Sequence, residues 1–295
     1  MPDRSWCDMT SARTVEEGFA LFLEELAPAT EEYRIPWEEV RGSLARRFKV
    51  YASFIAGSYL SDTYVHGFSI PDYLVSVELE QGETSSDSRS LLVEVADALA
   101  ARFPDVSASG TSVTVLPGEN ASFKLIPARL AGQTPAGHLV YEIPDGNGGW
   151  MKACPDGHQA RIEAMDRRLA GRFRPLVRLV KAWKYFRAVP VSTFYLELRC
   201  ILYAAGEKKI AYPLDLQHMF GLLWEDQLAD VPYVDDECGP VSARLARTDR
   251  KAVFSNVRTA LYYATCAVEQ MEQGCLSEAF RYWGRIFSGH FPAYA

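Results

Sequence analysis

Apolar residues recur along this chain at two spacings, and those spacings divide it into helices and strands. Phe19, Phe22, Leu23 and Leu26 fall at i, i+3, i+4 and i+7, which predicts a helix over 14–26 that Pro28 ends. A second helix, over 37–49, closes on basic residues that suit the negative pole of its dipole. The apolar run 54–56 reads as a short strand, Gly57-Ser58 as a turn, and 72–79 as a second strand. Residues 81–88 read as a polar loop, and a helix over 90–103 buries Leu92, Val95 and Leu99 before Pro104 stops it. β-branched alternation predicts a strand over 111–116, a turn over 117–120 and a hairpin partner over 122–126. A short strand at 141–144 and a glycine-rich surface turn at 145–149 follow, and Pro155 suits the first turn of the next helix.

Beyond that point the pattern is helical. A helix over 174–187 carries Leu176, Leu179, Val180 and Trp183 on one face and Arg174, Arg178 and Lys181 on a basic stripe, with Lys184 nearby. Taken alone, such a stripe reads as a solvated face. Ser192 with Thr193 reads as the cap of a helix running to Tyr203. Helices over 213–228, 251–273 and 277–287 complete the chain, and Asp235-Asp236-Glu237 reads as a solvated acidic loop. This order of elements predicts an α+β fold.

The chain has 295 residues and a net charge of -7, which argues against an extended nucleic-acid surface. No apolar run approaches the length of a membrane span, and the polar amino terminus is no signal peptide. Six scattered cysteines without a Cys-x-x-Cys pair suit reduced thiols in a cytoplasm.

Candidate chemistry concentrates in 54–79. Gly57 lets the backbone approach a ligand closely, and Ser58 can donate a hydroxyl proton to a phosphate oxygen. Asp72 heads a strand, where a carboxylate can hold magnesium. This segment resembles the signature of bacterial nucleotidyltransferases of the cyclic GMP-AMP synthase type, the CD-NTase or SMODS family of the polymerase-beta-like superfamily. The match runs without a gap through Gly57, Ser58, Tyr59, Thr63, Gly67, Ser69, Asp72 and Tyr73. Trp150-Met151, Cys154-Pro155, the segment 175–197 and Phe291-Pro292 extend it over most of the chain from Phe54 onward. The resemblance implies a polymerase-beta-like lobe with a mixed sheet over 1–150, amino-terminal helices included, and a helical lobe over 151–295 closing a nucleotide cleft. It implies phosphate contacts from Gly57, Ser58, Lys181 or Lys184, and Ser192, with Tyr195 as an aromatic wall. It also implies bacterial anti-phage signalling, in which active members make cyclic di- or trinucleotides from nucleoside triphosphates.

The departures from the family pattern are chemical. The family holds two magnesium ions between three carboxylates. Here Asp72 is retained, while Ile70 and Lys124 occupy the other two carboxylate positions. Alternation places Ser122, Lys124 and Ile126 on one face, so Lys124 is expected to replace the metals as the partner of Asp72. Asp62 either brings negative charge toward the phosphate turn or points to solvent. Neither Glu78, about 20 Å along the strand from Asp72, nor Glu119 in the hairpin turn is placed to substitute. The expected protein is a nucleotide-binding pseudoenzyme without metal or other cofactor, with a protein partner from a defence operon and no membrane association. Two alternatives stand beside it. One is an active transferase that uses Mg2+ to make a cyclic or linear oligonucleotide. The other is an interaction module whose cleft is closed by Asp72 and Lys124.

Overall fold

The computed structural model describes residues 11–27, 35–79, 87–116, 122–233, 238–243 and 249–295. Pro28, most of the loop 81–88, the turn 117–120 with Glu119, and the acidic loop 235–237 lie outside them.

The chain enters through β1 (Ser11–Ala12), α1 (Val15–Leu26) and α2 (Trp37–Leu44). Thr14 caps α1 by accepting from the Glu17 N–H at 3.1 Å. β2 (Phe48–Ala56) leads through the one-turn helix α3 (Gly57–Leu60) to β3 (Asp72–Leu79). Then come α4 (Ser88–Ala100), β4 (Asp105–Ser109), β5 (Ser112–Leu116), β6 (Phe123–Gln133), β7 (Leu139–Pro144) and β8 (Trp150–Ala153). The second half comprises α5 (Pro155–Arg168), α6 (Phe173–Phe186), α7 (Thr193–Ala205) and α8 (Tyr212–Glu225). It continues through β9 (Val231–Pro232), β10 (Pro240–Val241), α9 (Arg250–Glu272), α10 (Leu276–Ile286) and β11 (Ala293–Tyr294).

The main sheet runs β2-β3-β6-β5-β4, and the far half of β6 pairs with β7, which pairs with β8. β3 and β6 are parallel while the other pairs are antiparallel, so the sheet is mixed. Alternation sends Tyr73, Val75, Phe123 and Leu125 toward α2 and α4, where they join one hydrophobic core. Asp72, Leu74, Lys124 and Ile126 point to the opposite face, into a cavity.

Three element expectations need correction. The helix expected over 37–49 stops at Leu44, because the run from Phe48 pairs with β3 from its first residue. The hairpin strand expected to end near Pro127 continues to Gln133; its later residues exchange their neighbours for β7. The edge strand β4 and the short β8 were not expected, since Asp105-Val-Ser-Ala-Ser has the short polar make-up of a protected sheet edge.

The division at residue 150 does not follow the cores. α1 packs in the helical lobe: Phe19 meets Trp283 at 5.0 Å and Phe291 at 4.9 Å, and Phe22 meets Phe287 at 4.7 Å. β1 pairs in parallel with β11. The aromatic stripe on α1 is matched by aromatics more than 150 residues later, Phe186 and Tyr212 as well as Trp283, Phe287 and Phe291, and that partnership leaves no local trace.

Candidate functional site

Arg178 and Lys181 of the basic stripe on α6 are buried and Arg174 is partly so, where the stripe taken alone suggested a solvated face. Arg174 Nε donates to the Ser61 carbonyl at 3.0 Å, and Arg178 donates to the Asp62 and Tyr64 carbonyls at 2.8 and 3.0 Å. Lys181 Nζ donates to the Thr63 carbonyl at 3.2 Å. Four successive carbonyls after the Gly57-Ser58 turn are thus held by three cations spaced along one helix. Asp62 adopts a left-handed backbone with φ 52° and turns its carboxylate to Arg178 at 3.0 Å. The Asp62 side chain is also largely exposed, so its charge is shared between that guanidinium and solvent.

Lys181 of this stripe, the sheet and the start of α7 line a cavity of about 280 Å3. Gly57, Ser58, Asp72 and Lys124 line one side, and Lys181, Ser192, Phe194 and Glu197 the other. Leu74, Ile126, Ile143 and Met151 supply apolar surface, and Tyr233 stands 5.6 Å from Phe194. Gly57 is required here: its φ is +60°, and a Cβ would come within 2.8 Å of Asp72 Oδ2. Asp72 and Lys124 are direct partners in the parallel register of β3 and β6, as alternation suggested. They make no contact ion pair, however, and among the described residues the Lys124 ammonium has no hydrogen-bond or salt-bridge partner. The cleft is therefore not sealed by these two residues.

Lys181 lines the cavity, yet its ammonium is committed. It forms an ion pair with Glu197 and donates to the Thr63 hydroxyl at 2.9 Å and to the Thr63 carbonyl, which uses its three protons. The other oxygen of Glu197 lies 3.1 Å from His158 Nε2. Burial alone would raise the Glu197 carboxyl, but Lys181 and His158 outweigh it and hold the group well below its usual range. His158 Nδ1 is buried without a hydrogen-bond partner. Lys184 is the uncommitted lysine of α6. It lies over the Tyr185 ring at 4.4 Å, and burial, Lys124 and Lys181 together lower its pKa.

Ser192 caps α7 by accepting from the Tyr195 N–H at 3.4 Å, and it also lines the cavity. Tyr195 does not reach the cleft. It is fully buried and donates its hydroxyl proton to the Ala229 carbonyl at 2.8 Å. Phe194, one position earlier and so about 100° around the helix, faces the cavity instead. Ile70 is half-buried and does not line the cavity. Glu78 pairs with Tyr51 outside the cavity. Glu197 and His158 were missed as site residues. The only sequence sign was an acid between two leucines on a buried helix.

Burial pushes the Asp72 carboxyl up to about 6; Lys124 and Lys181 draw it down, and Glu197 adds a smaller push upward. The folded protein then holds this proton more tightly than the unfolded chain. The associated stability is complete below the ordinary carboxylate range and is lost as pH rises through 6. Asp72→Asn is accordingly expected to stabilise the protein by up to about 3 kcal/mol at pH 8 and to change little at pH 4. Urea unfolding at the two pH values measures this, and equal shifts at both would contradict it.

The donor set does not fit paired divalent ions. Among the described residues no group of three or more His, Cys, Asp or Glu side chains is placed to hold a metal ion. Magnesium asks for near-octahedral oxygen coordination, and the cavity offers Asp72 beside an ammonium.

No protein-family model matches the chain. A curated protein of Bacillus cereus (strain VD146), described as a probable cyclic nucleotide synthase, is 21% identical over 187 residues, 58% of this chain. The match spans about half, 52%, of that relative's length. Among solved structures, CdnC of E. coli MS115-1 with ATP superposes with a TM-score of 0.70 at 20% identity, covering 94% of this chain and 98% of that one. The same CdnC has been solved in complex with a HORMA protein. CdnE cyclic dinucleotide synthase of Elizabethkingia meningoseptica, with GTP and Apcpp, gives 0.61 at 15% identity, covering 85% and 99%. The cyclic AMP-GMP synthase DncV of Vibrio cholerae, with a linear intermediate, gives 0.62 at 13%, covering 95% and 82%.

Proposed function

We propose that this chain, whose fold is that of the CD-NTase nucleotidyltransferases, is a nucleotide-binding member that has lost metal-dependent nucleotidyl transfer. The observation that carries this reading is Lys124, in register with Asp72 and facing the cavity where the family pattern has a carboxylate. An ammonium 4 Å from a divalent ion opposes it by about 8 kcal/mol at an effective dielectric near 20, twice the figure for two unit charges. The retained features serve a nucleotide. Ser58 and Ser192 offer hydroxyls from opposite sides of the cavity, Lys124 offers an uncommitted charge, Lys184 lies near it without lining the cavity, and Phe194 with Tyr233 offers aromatic surface for a base. No helix among the described residues is long and apolar enough to cross a membrane. The reading includes a cytoplasmic setting and a role in bacterial defence signalling. By analogy with the HORMA complex of CdnC, it also includes a protein partner.

Incubation with all four labelled nucleoside triphosphates and Mg2+ or Mn2+ tests the reading. The expected result is no phosphodiester product, together with a raised melting temperature for at least one triphosphate. The description of the Bacillus relative as a cyclic nucleotide synthase favours a second reading, in which this chain is active. A cyclic or linear oligonucleotide released by purified protein would establish that reading in place of the first.

A further inference from the structure

Lys124 and Lys181 line the same cavity and differ in what they can still do. Lys181 spends its protons on Glu197 and Thr63. Lys124 has none engaged among the described residues, and it projects from the middle of the sheet beside the Gly57-Ser58 turn. Glu197 is already shared between Lys181 and His158. Lys124 therefore has Asp72 as the uncommitted carboxylate beside it in this cavity. An unpaired ammonium directed into a polar cavity is a point charge suited to a phosphate oxygen.

We propose that Lys124 is a resident counter-ion for phosphate, and that the cleft takes its nucleoside triphosphate as the metal-free anion. The lysine does by covalent attachment what a divalent ion does by coordination: it neutralises the phosphate chain against the sheet. A magnesium ion on the ligand would meet the Lys124 ammonium and find one carboxylate to complete its shell. Free triphosphate carries more negative charge than its magnesium complex and suits the cleft better. This rests on the reading of the cleft as a nucleotide site, and it adds that magnesium is dispensable there and competes with Lys124.

Calorimetric titration of the full chain with ATP, GTP, CTP and UTP, once in EDTA and once in excess Mg2+, tests it. At least one triphosphate is expected to bind in EDTA with affinity equal to that in Mg2+ or up to about tenfold tighter. Lys124→Met should weaken binding in EDTA by about tenfold or more, while Lys124→Arg should stay within a few-fold. Circular dichroism of both variants checks their folding, and the comparison on the unaltered protein decides the matter if either fails. Binding that disappears in EDTA would overturn the counter-ion role and leave the nucleotide cleft standing. Absence of binding in both conditions would overturn the cleft reading itself.

Discussion

Replacing Lys181 by Met is expected to destabilise the protein by about 3–5 kcal/mol, the largest single-residue loss foreseen for this chain. The side chain is 1% exposed, and its ammonium is the principal charge partner of Glu197, itself 3% exposed. Without Lys181, Glu197 would be a buried ionised group left with His158 and the Thr63 hydroxyl. The Thr63 carbonyl would lose its donor, and the carbonyl clamp on 61–64 would be broken at its centre. Adding Glu197→Gln to Lys181→Met should recover part of the loss, because it removes the stranded charge. Chemical denaturation of both single variants and the double variant measures the coupling. A Lys181→Met loss below about 1 kcal/mol would show that the pair is not a buried ionic contact in solution.

The second large effect is a gain. Ile70→Asp with Lys124→Asp places three acids in the family pattern and removes the opposing ammonium. This double variant is expected to bind Mg2+ or Mn2+, and the metal should stabilise it by about 2.7 kcal/mol at a concentration 100 times the dissociation constant. The unaltered protein should show no such metal-dependent shift. Ile70 sits two residues before Asp72, just ahead of the strand, and its present side chain does not line the cavity. If thermal unfolding of the double variant ignores both ions, the scaffold around Asp72 has diverged beyond the loss of its ligands.

The sequence made the neighbours along the sheet legible and left the distant ones hidden. Lys124 could be set beside Asp72 because strand side chains alternate with period two and the motif fixed where each strand begins. Gly57 could be singled out because the turn needs a backbone that approaches its surroundings closely. The destination of Arg174, Arg178 and Lys181 was not legible. A row of cations on a helix has the same pattern whether it faces water or grips carbonyls more than 100 residues earlier. Tyr195 and Phe194 are adjacent aromatics on one helix, and the sequence does not say which of the two faces the cleft; Tyr195 turns inward and gives its hydroxyl proton to the Ala229 carbonyl. The partner of α1 was not legible either, because its apolar face fixes that it packs without fixing that it packs among the later helices.

The grip of α6 on residues 61–64 has a mechanical consequence. Those carbonyls belong to the segment that continues from Ser58, and α6 leads through a short connection to Ser192. The two walls are thus riveted at four points, and a clamshell motion about this seam would have to break all four together. A guest molecule meets a mould already cast. Little disorder is surrendered when it docks, and its residence time is governed by its own contacts more than by any reopening of the protein.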